Sequence, residues 1–254
     1  MHLFRTAAAA LALAAGTSPA ADYGTVKGTV KLAAPKPAPT INPTTDRDHC
    51  LSRGPLADQS VVSDPGSGGL RYVFVYLRPD SDDRAAKFPA DKVHPDLKAP
   101  KGGKFEIDQP CCQFEPRVFA VREGTQVVFK NSSPVSHNVN YDSDAEKFNE
   151  TTPAGKSKDT KPTQSQPNFV TFACNIHPWM KGVGMVFDHP YFAVTDEKGN
   201  FTLDKVPAGK WRVVYRHETG YHKGKDGRLG FPLEVKAGDN SLPPLVFESP
   251  AIKP

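Results

Sequence analysis

The chain has 254 residues, with 32 Lys and Arg set against 28 Asp and Glu, for a formal charge of +4. So small a surplus supplies no basic field that would gather nucleic acid, and the length suits one large or two small domains, each able to bury a core. With 25 Pro and 20 Gly cutting it into short runs, no stretch beyond about twelve residues keeps a clean helical period, which points to an all-β protein.

In chain order, residues 1–20, MHLFRTAAAALALAAGTSPA, read as an export signal. Arg5 supplies a positive start, Ala7 to Gly16 a short apolar run, and Ser18-Pro19-Ala20 a small-residue cleavage site. The apolar run is too short to span a bilayer, and no later segment is long and apolar enough to do so. Removing the signal takes away Arg5 alone among charged groups, so +4 becomes +3. The mature protein is expected to be soluble and periplasmic or otherwise exported.

Residues 34–69 and 79–104 are irregular and rich in Pro, Asp and turn residues. Strand-like runs follow at 70–77, 117–121, 125–130, 168–174, 182–187, 191–195 and 211–215, where Val, Phe and Tyr partly alternate with polar residues. Between them, DSDAEKFNETTPAGKSKDTKPTQSQP (142–167) shows almost no apolar periodicity and is expected to be a long exposed loop.

The C-terminal stretch AVTDEKGNFTLDKVPAGKWRVVYRHETGY makes one turn at Asp196 to Asn200 and the next at Pro207 to Lys210. Together with GTVKGTVKL (24–32) and RYVFVYLR (71–78), it resembles the regulatory, transthyretin-like β-sandwich of metallocarboxypeptidases. That resemblance covers about a third of the chain in two pieces. It implies a binding or spacing module, split as 21–104 and 189–254, around an inserted domain at 105–188.

The insert carries the chemistry. CNIHPWMKG (174–182) places Cys174, His177 and Met180 within seven positions in a chain holding only 4 Cys and 3 Met. His137 stands upstream, after a strand–turn–strand run. Singly, a cysteine or a methionine is usually a core hydrophobe and a histidine a backbone-bonded turn residue. Jointly they offer two nitrogens, a thiolate and a thioether, the donor set of a blue-copper site. Zinc accepts Cys and His but rarely Met. Met185, inside an apolar strand, is the weaker axial candidate.

This segment resembles the cupredoxins, with an amicyanin-like loop in Cys174-Asn175-Ile176-His177-Pro178-Trp179-Met180 and a matching first-histidine segment at Pro134 to Val139. The resemblance implies a Greek-key sandwich holding one type 1 copper ion. His137 and His177 would be its equatorial nitrogen ligands, Cys174 its thiolate and Met180 its axial thioether. Asn138 would stiffen the ligand loops near the sulfur. It also implies that the edge of His177 reaches the surface within an apolar patch where a transient redox partner docks; Trp179 is either the anchor of that patch or a core aromatic closing the loop onto the sandwich.

Other copper chemistries lack their residues: there is no second loop cysteine for a binuclear centre, no H-x-H pair for a trinuclear cluster, and no C-x-x-C-H haem motif. A four-donor site leaves no open position, so an electron carrier is expected, not an enzyme. A copper carrier or buffer, and a metal-free interaction module, are the competing readings. Of the remaining cysteines, Cys50 is expected to bridge to Cys112, or else to Cys111, in an exported chain. His189, His217 and His222 are not at ligand spacing.

Overall fold

In YGTVKGTVKL every second residue faces one side, and the strand Tyr23–Leu32 buries Val26, Val30 and Leu32 accordingly. The structure, a computed structural model, describes residues 23–98 and 102–248; the expected signal at 1–20 lies outside them. The Tyr23 strand pairs antiparallel with Asn200–Pro207 and parallel with Gly238–Ser241 and Leu245–Phe247. The turn before Asn200 needs Gly199, whose φ is 78° and whose added Cβ would meet the Val30 carbonyl at 2.1 Å. Facing this sheet is a second, with Phe74–Pro79 between Phe192–Val194 and Gly209–His217, and with Phe231–Val235 on the far side of the last. Their apposed side chains, including Val26, Val30, Val75, Leu77, Leu203, Trp211 and Val213, make one core.

Two further sheets come from the middle of the chain. Gln126–Lys130 lies between Lys104–Asp108 and Ser157–Asp159. Opposite it run Val118–Arg122, Lys181–Phe187, Val170–Ala173, His137–Asp142 and Lys147–Thr152, in that order. Ile107, Phe114, Phe119, Phe129, Val139, Tyr141 and Phe172 fill the space between. Phe119 and Phe172 lie against Gly184 and Gly182, where an added Cβ would come within 2.2 Å of each ring. The chain is therefore nearly all β, as expected.

The two halves meet through a third apolar cluster, Tyr72, Phe74, Val118, Met185 and Phe187, with Phe187 stacked on Phe192 at 4.5 Å. Met185 is thus committed to this contact and packs away from the metal-donor loop. A half-buried ion pair adds to it: Arg117 donates twice to Glu218, both bonds at 2.9 Å.

Two expectations change. Residues 142–167 are not a loop: they hold Lys147–Thr152, hydrogen-bonded along the His137 strand, and Ser157–Asp159. Both are edge strands with mostly exposed side chains, so pairing is satisfied by backbone bonds and leaves no apolar alternation to read. Residues 40–57 likewise form a small strap, in which Thr40–Ile41 pairs with Leu56–Ala57 around the helix Arg47–Cys50. No helix among the described residues is long and apolar enough to cross a membrane.

Candidate metal centre

His137 opens its strand and Cys174 follows directly on the end of Val170–Ala173. Those strands pair antiparallel, with Phe172 opposite Tyr141 and Ala173 opposite Asn140, so a histidine and a cysteine 37 positions apart arrive at one end of one sheet. The loop from Cys174 closes on itself. Cys174 N–H donates to the Met180 carbonyl at 3.0 Å, and Met180 N–H to the His177 carbonyl at 2.9 Å. Pro178 fixes one φ within this turn. All four residues proposed from sequence are buried, His137 and His177 completely.

Three of the four converge. One donor atom from each of His137, Cys174 and His177 lies within 4.8 Å of the others. The two Nδ1 atoms are 3.0 Å apart, and Cys174 Sγ is 3.7 Å from His177 Nδ1. Met180 is buried in the same apolar cluster as Cys174. The sulfur accepts two backbone N–H groups, from Asn138 at 3.3 Å and His177 at 3.4 Å, an arrangement suited to a sulfur bearing negative charge.

Asn138 binds the two ligand segments together. Its Oδ1 accepts the Asn175 N–H at 3.1 Å, and its Nδ2 donates to Asn149 Oδ1 at 2.8 Å. Asn149 also accepts from Asn175 Nδ2 at 3.3 Å. The edge strand that the sequence concealed therefore buttresses the site.

Both imidazoles are held neutral. Burial, then the neighbouring His177 and His49, push His137 down to about 4. Burial also lowers His177, opposed by its hydrogen bond to Asp46. That bond joins His177 Nε2 to Asp46 Oδ2 at 3.0 Å. A carboxylate only accepts, so Nε2 carries the hydrogen and Nδ1 presents its lone pair. His137 Nδ1 then donates its hydrogen to His177 Nδ1, and His137 Nε2 is left without a partner in the interior. Two convergent neutral nitrogens, a thiol and a nearby thioether fit a copper ion in donor type and number.

His177 does not reach the surface as expected. The strap covers it, and Asp46 stands between the ring and solvent. Trp179 turns inward as well, donating its indole N–H to the Cys112 carbonyl at 3.0 Å and meeting the His177 ring edge-on at 5.3 Å. Cys112 is bridged to Cys50, the pairing favoured from sequence, and a nitrogen of His177 lies within 4.8 Å of both sulfurs. Cys111, outside the bridge, donates to the His49 carbonyl at 3.3 Å. The other flank of the loop opens on a cleft of about 650 Å³, where Trp179 and Met180 face Ile41, Gln113 and the Arg117–Glu218 pair.

Sequence reasoning missed Asp46. The available signal was Cys50 four positions later: a bridge to Cys112 brings the strap to the insert, although it does not say which side chain lands on the loop.

Residues 102–188 match the family of copper binding proteins, plastocyanin/azurin family. This match supports a cupredoxin domain in the middle of the chain. No curated protein matches the chain. Among solved structures, the chain is similar to a Cu-containing nitrite reductase from Thermus scotoductus SA-01, with 23% identity over 33% of this chain and a TM-score of 0.30. It spans 22% of that reductase's length. A purple cupredoxin from Nitrosopumilus maritimus is 21% identical over 32% of this chain and 97% of its own, with a TM-score of 0.28. A mutant amicyanin in the Cu(I) form is 16% identical over 44% and 97%, with a TM-score of 0.29. The cupredoxin segment excludes the strap, so Asp46 is contributed from outside it.

Proposed function

We propose that this protein is an exported, periplasmic type 1 copper protein that carries single electrons to a transient protein partner. His137, Cys174, His177 and Met180 are its ligands, and copper held there would cycle between Cu(I) and Cu(II). The observation that carries this reading is the convergence of His137, Cys174 and His177 donor atoms within 4.8 Å in a buried site. The chain's own part is to fix those donors before any metal arrives. Loop-closing backbone bonds, the Asn138 bridge and the two N–H···S contacts resist the rearrangement that a change of copper charge would otherwise demand.

With four protein donors committed, the site leaves no place for a substrate, so the role is a carrier's and not an enzyme's. The sheets flanking the cupredoxin domain form a transthyretin-like spacer. The test is a Cu(II) titration followed by reductive and oxidative cycling. An intense blue or purple thiolate charge-transfer band that survives repeated cycles with metal retained is the expected result. Loss of metal on cycling would instead favour a copper carrier, and no band at all a metal-free module.

A further inference from the structure

Asp46 lies 131 positions before His177, outside the copper-binding segment, yet it holds the one nitrogen of His177 that faces away from the other donors. Its local setting makes this contact conspicuous. It is the N-cap of the helix Arg47–Cys50, where an aspartate ordinarily accepts an N–H from the first turn. Here the carboxylate makes no such capping bond. The residue sits instead in the left-handed region, at φ 48° and ψ 36°, and its side chain is directed to the imidazole.

A closed circuit of contacts keeps it there. The Asp46 carbonyl accepts the Cys50 N–H at 2.9 Å, Cys50 is bridged to Cys112, and the Cys112 carbonyl accepts the Trp179 indole. Trp179 in turn packs on the His177 ring. The strap is therefore tied to the ligand loop twice, directly at His177 and through Cys112 at Trp179.

We infer that Asp46 is the positioning residue of the metal centre, fixing His177 in the Nε2–H tautomer with Nδ1 bare and covering the ring edge. The inference rests on the copper reading above for its redox consequence, but not for the tautomer itself. A carboxylate accepting from a ligand imidazole makes that imidazole a stronger donor, and a stronger donor favours the more highly charged ion. Asp46 therefore biases the site toward Cu(II).

Two variants test it. Asp46→Asn preserves shape and a hydrogen-bond acceptor but removes the charge; Asp46→Ala removes both. In copper-free protein, nitrogen NMR of His177 should show the Nε2–H tautomer in the wild type and in Asp46→Asn, and a mixture in Asp46→Ala. In the loaded protein, Asp46→Asn should shift the Cu(I):Cu(II) ratio about tenfold toward Cu(I) at a fixed potential, the low end of the range for lost outer partners. For a one-electron couple that is about 59 mV upward. Asp46→Ala should shift at least as far, and it should also exchange electrons faster with a small hydrophilic oxidant, since the ring edge becomes open. An Nδ1–H tautomer in the wild type overturns the inference. So does an unmoved potential in both variants of a protein that binds copper. A wild type that takes up no copper overturns the proposed function, and the tautomer measurement still decides the role of Asp46.

Discussion

The two halves of the molecule each bury histidines, and they use them in opposite ways. In the outer sheets, His217 directs Nδ1 to the Thr219 hydroxyl at 2.9 Å, and His189 accepts the Tyr191 N–H at 3.1 Å. Each ring satisfies that nitrogen within two residues of itself, beside an otherwise apolar core. In the cupredoxin domain, His137 and His177 turn Nδ1 toward each other and toward Cys174. Burial alone thus says nothing about function, because all four rings are buried and all four are held below the usual histidine range. What separates a structural from a candidate ligand histidine is where the inward nitrogen finds its partner.

The largest expected effect would break this contrast outright if it failed. Cys174→Ser should abolish the thiolate band completely while leaving far-ultraviolet circular dichroism unchanged, because a hydroxyl can still accept from the Asn138 and His177 N–H groups. His217→Asn should leave the band intact. A band that survives the first change or disappears with the second would erase the distinction between the two histidine pairs.

Next in size is the strap's tether. Paired Cys50→Ala and Cys112→Ala changes open a loop with a sequence separation of 62. In the chain-entropy account this costs about 4 kcal/mol, readable by urea unfolding of the copper-free protein. Because the bridge ties the strap to the cupredoxin segment beside the ligand loop, the loss should appear in protection of that loop from hydrogen exchange before it appears in the outer sheets. Uniform loss across both halves would mean that they unfold as one unit.

Acid should separate the histidine pairs more finely. Burial, reinforced by Arg122 for His189 and Arg117 for His217, depresses these rings to about 3 and about 4 respectively. The unfolded chain therefore takes up protons near pH 6.5 while the folded chain does not. Stability is fully present above that pH and falls as pH drops from about 6.5 toward the folded values. Between pH 7.5 and 5 each ring should cost about 2 kcal/mol. His217→Asn should remove its share of that slope with or without copper. Copper loading should suppress only the share belonging to His137 and His177, whose nitrogens it would occupy under the proposed function.

The smallest effect concerns Trp179. Trp179→Phe keeps the ring against His177 but leaves the Cys112 carbonyl without its donor, a loss of about 1 kcal/mol in thermal or urea unfolding. The thiolate band should shift little. A large spectral change would show that the indole bond itself, beyond the strap's general hold, sets the ligand geometry.

How much of this was legible beforehand varies with the kind of signal. The strands at 24–32 and 125–130 could be read directly because one face of each meets a core, and the one at 182–187 because its apolar run is buried on both faces. Lys147–Thr152 could not, since an edge strand is stabilised by backbone bonds that any polar sequence can make. The candidate donor set stood out for a different reason. Cys174, His177 and Met180 are close in the chain, and soft or borderline donors are scarce enough for their clustering to stand out.

By itself the sequence determined the all-β class and pointed to the candidate donors and to a bridge from Cys50 to one of the adjacent cysteines. Tertiary structure alone decided which atoms meet: that His137 lands beside Cys174 through the Tyr141–Phe172 register, and that Asn149 braces Asn138. It also decided that Asp46 closes over His177 and hides the edge expected at the surface. The physical reason is one of range. Side-chain periodicity and donor chemistry are local and written residue by residue. A contact across 131 positions depends on strand register, a bridged strap and one left-handed residue acting together, and none of these leaves a local pattern at Asp46.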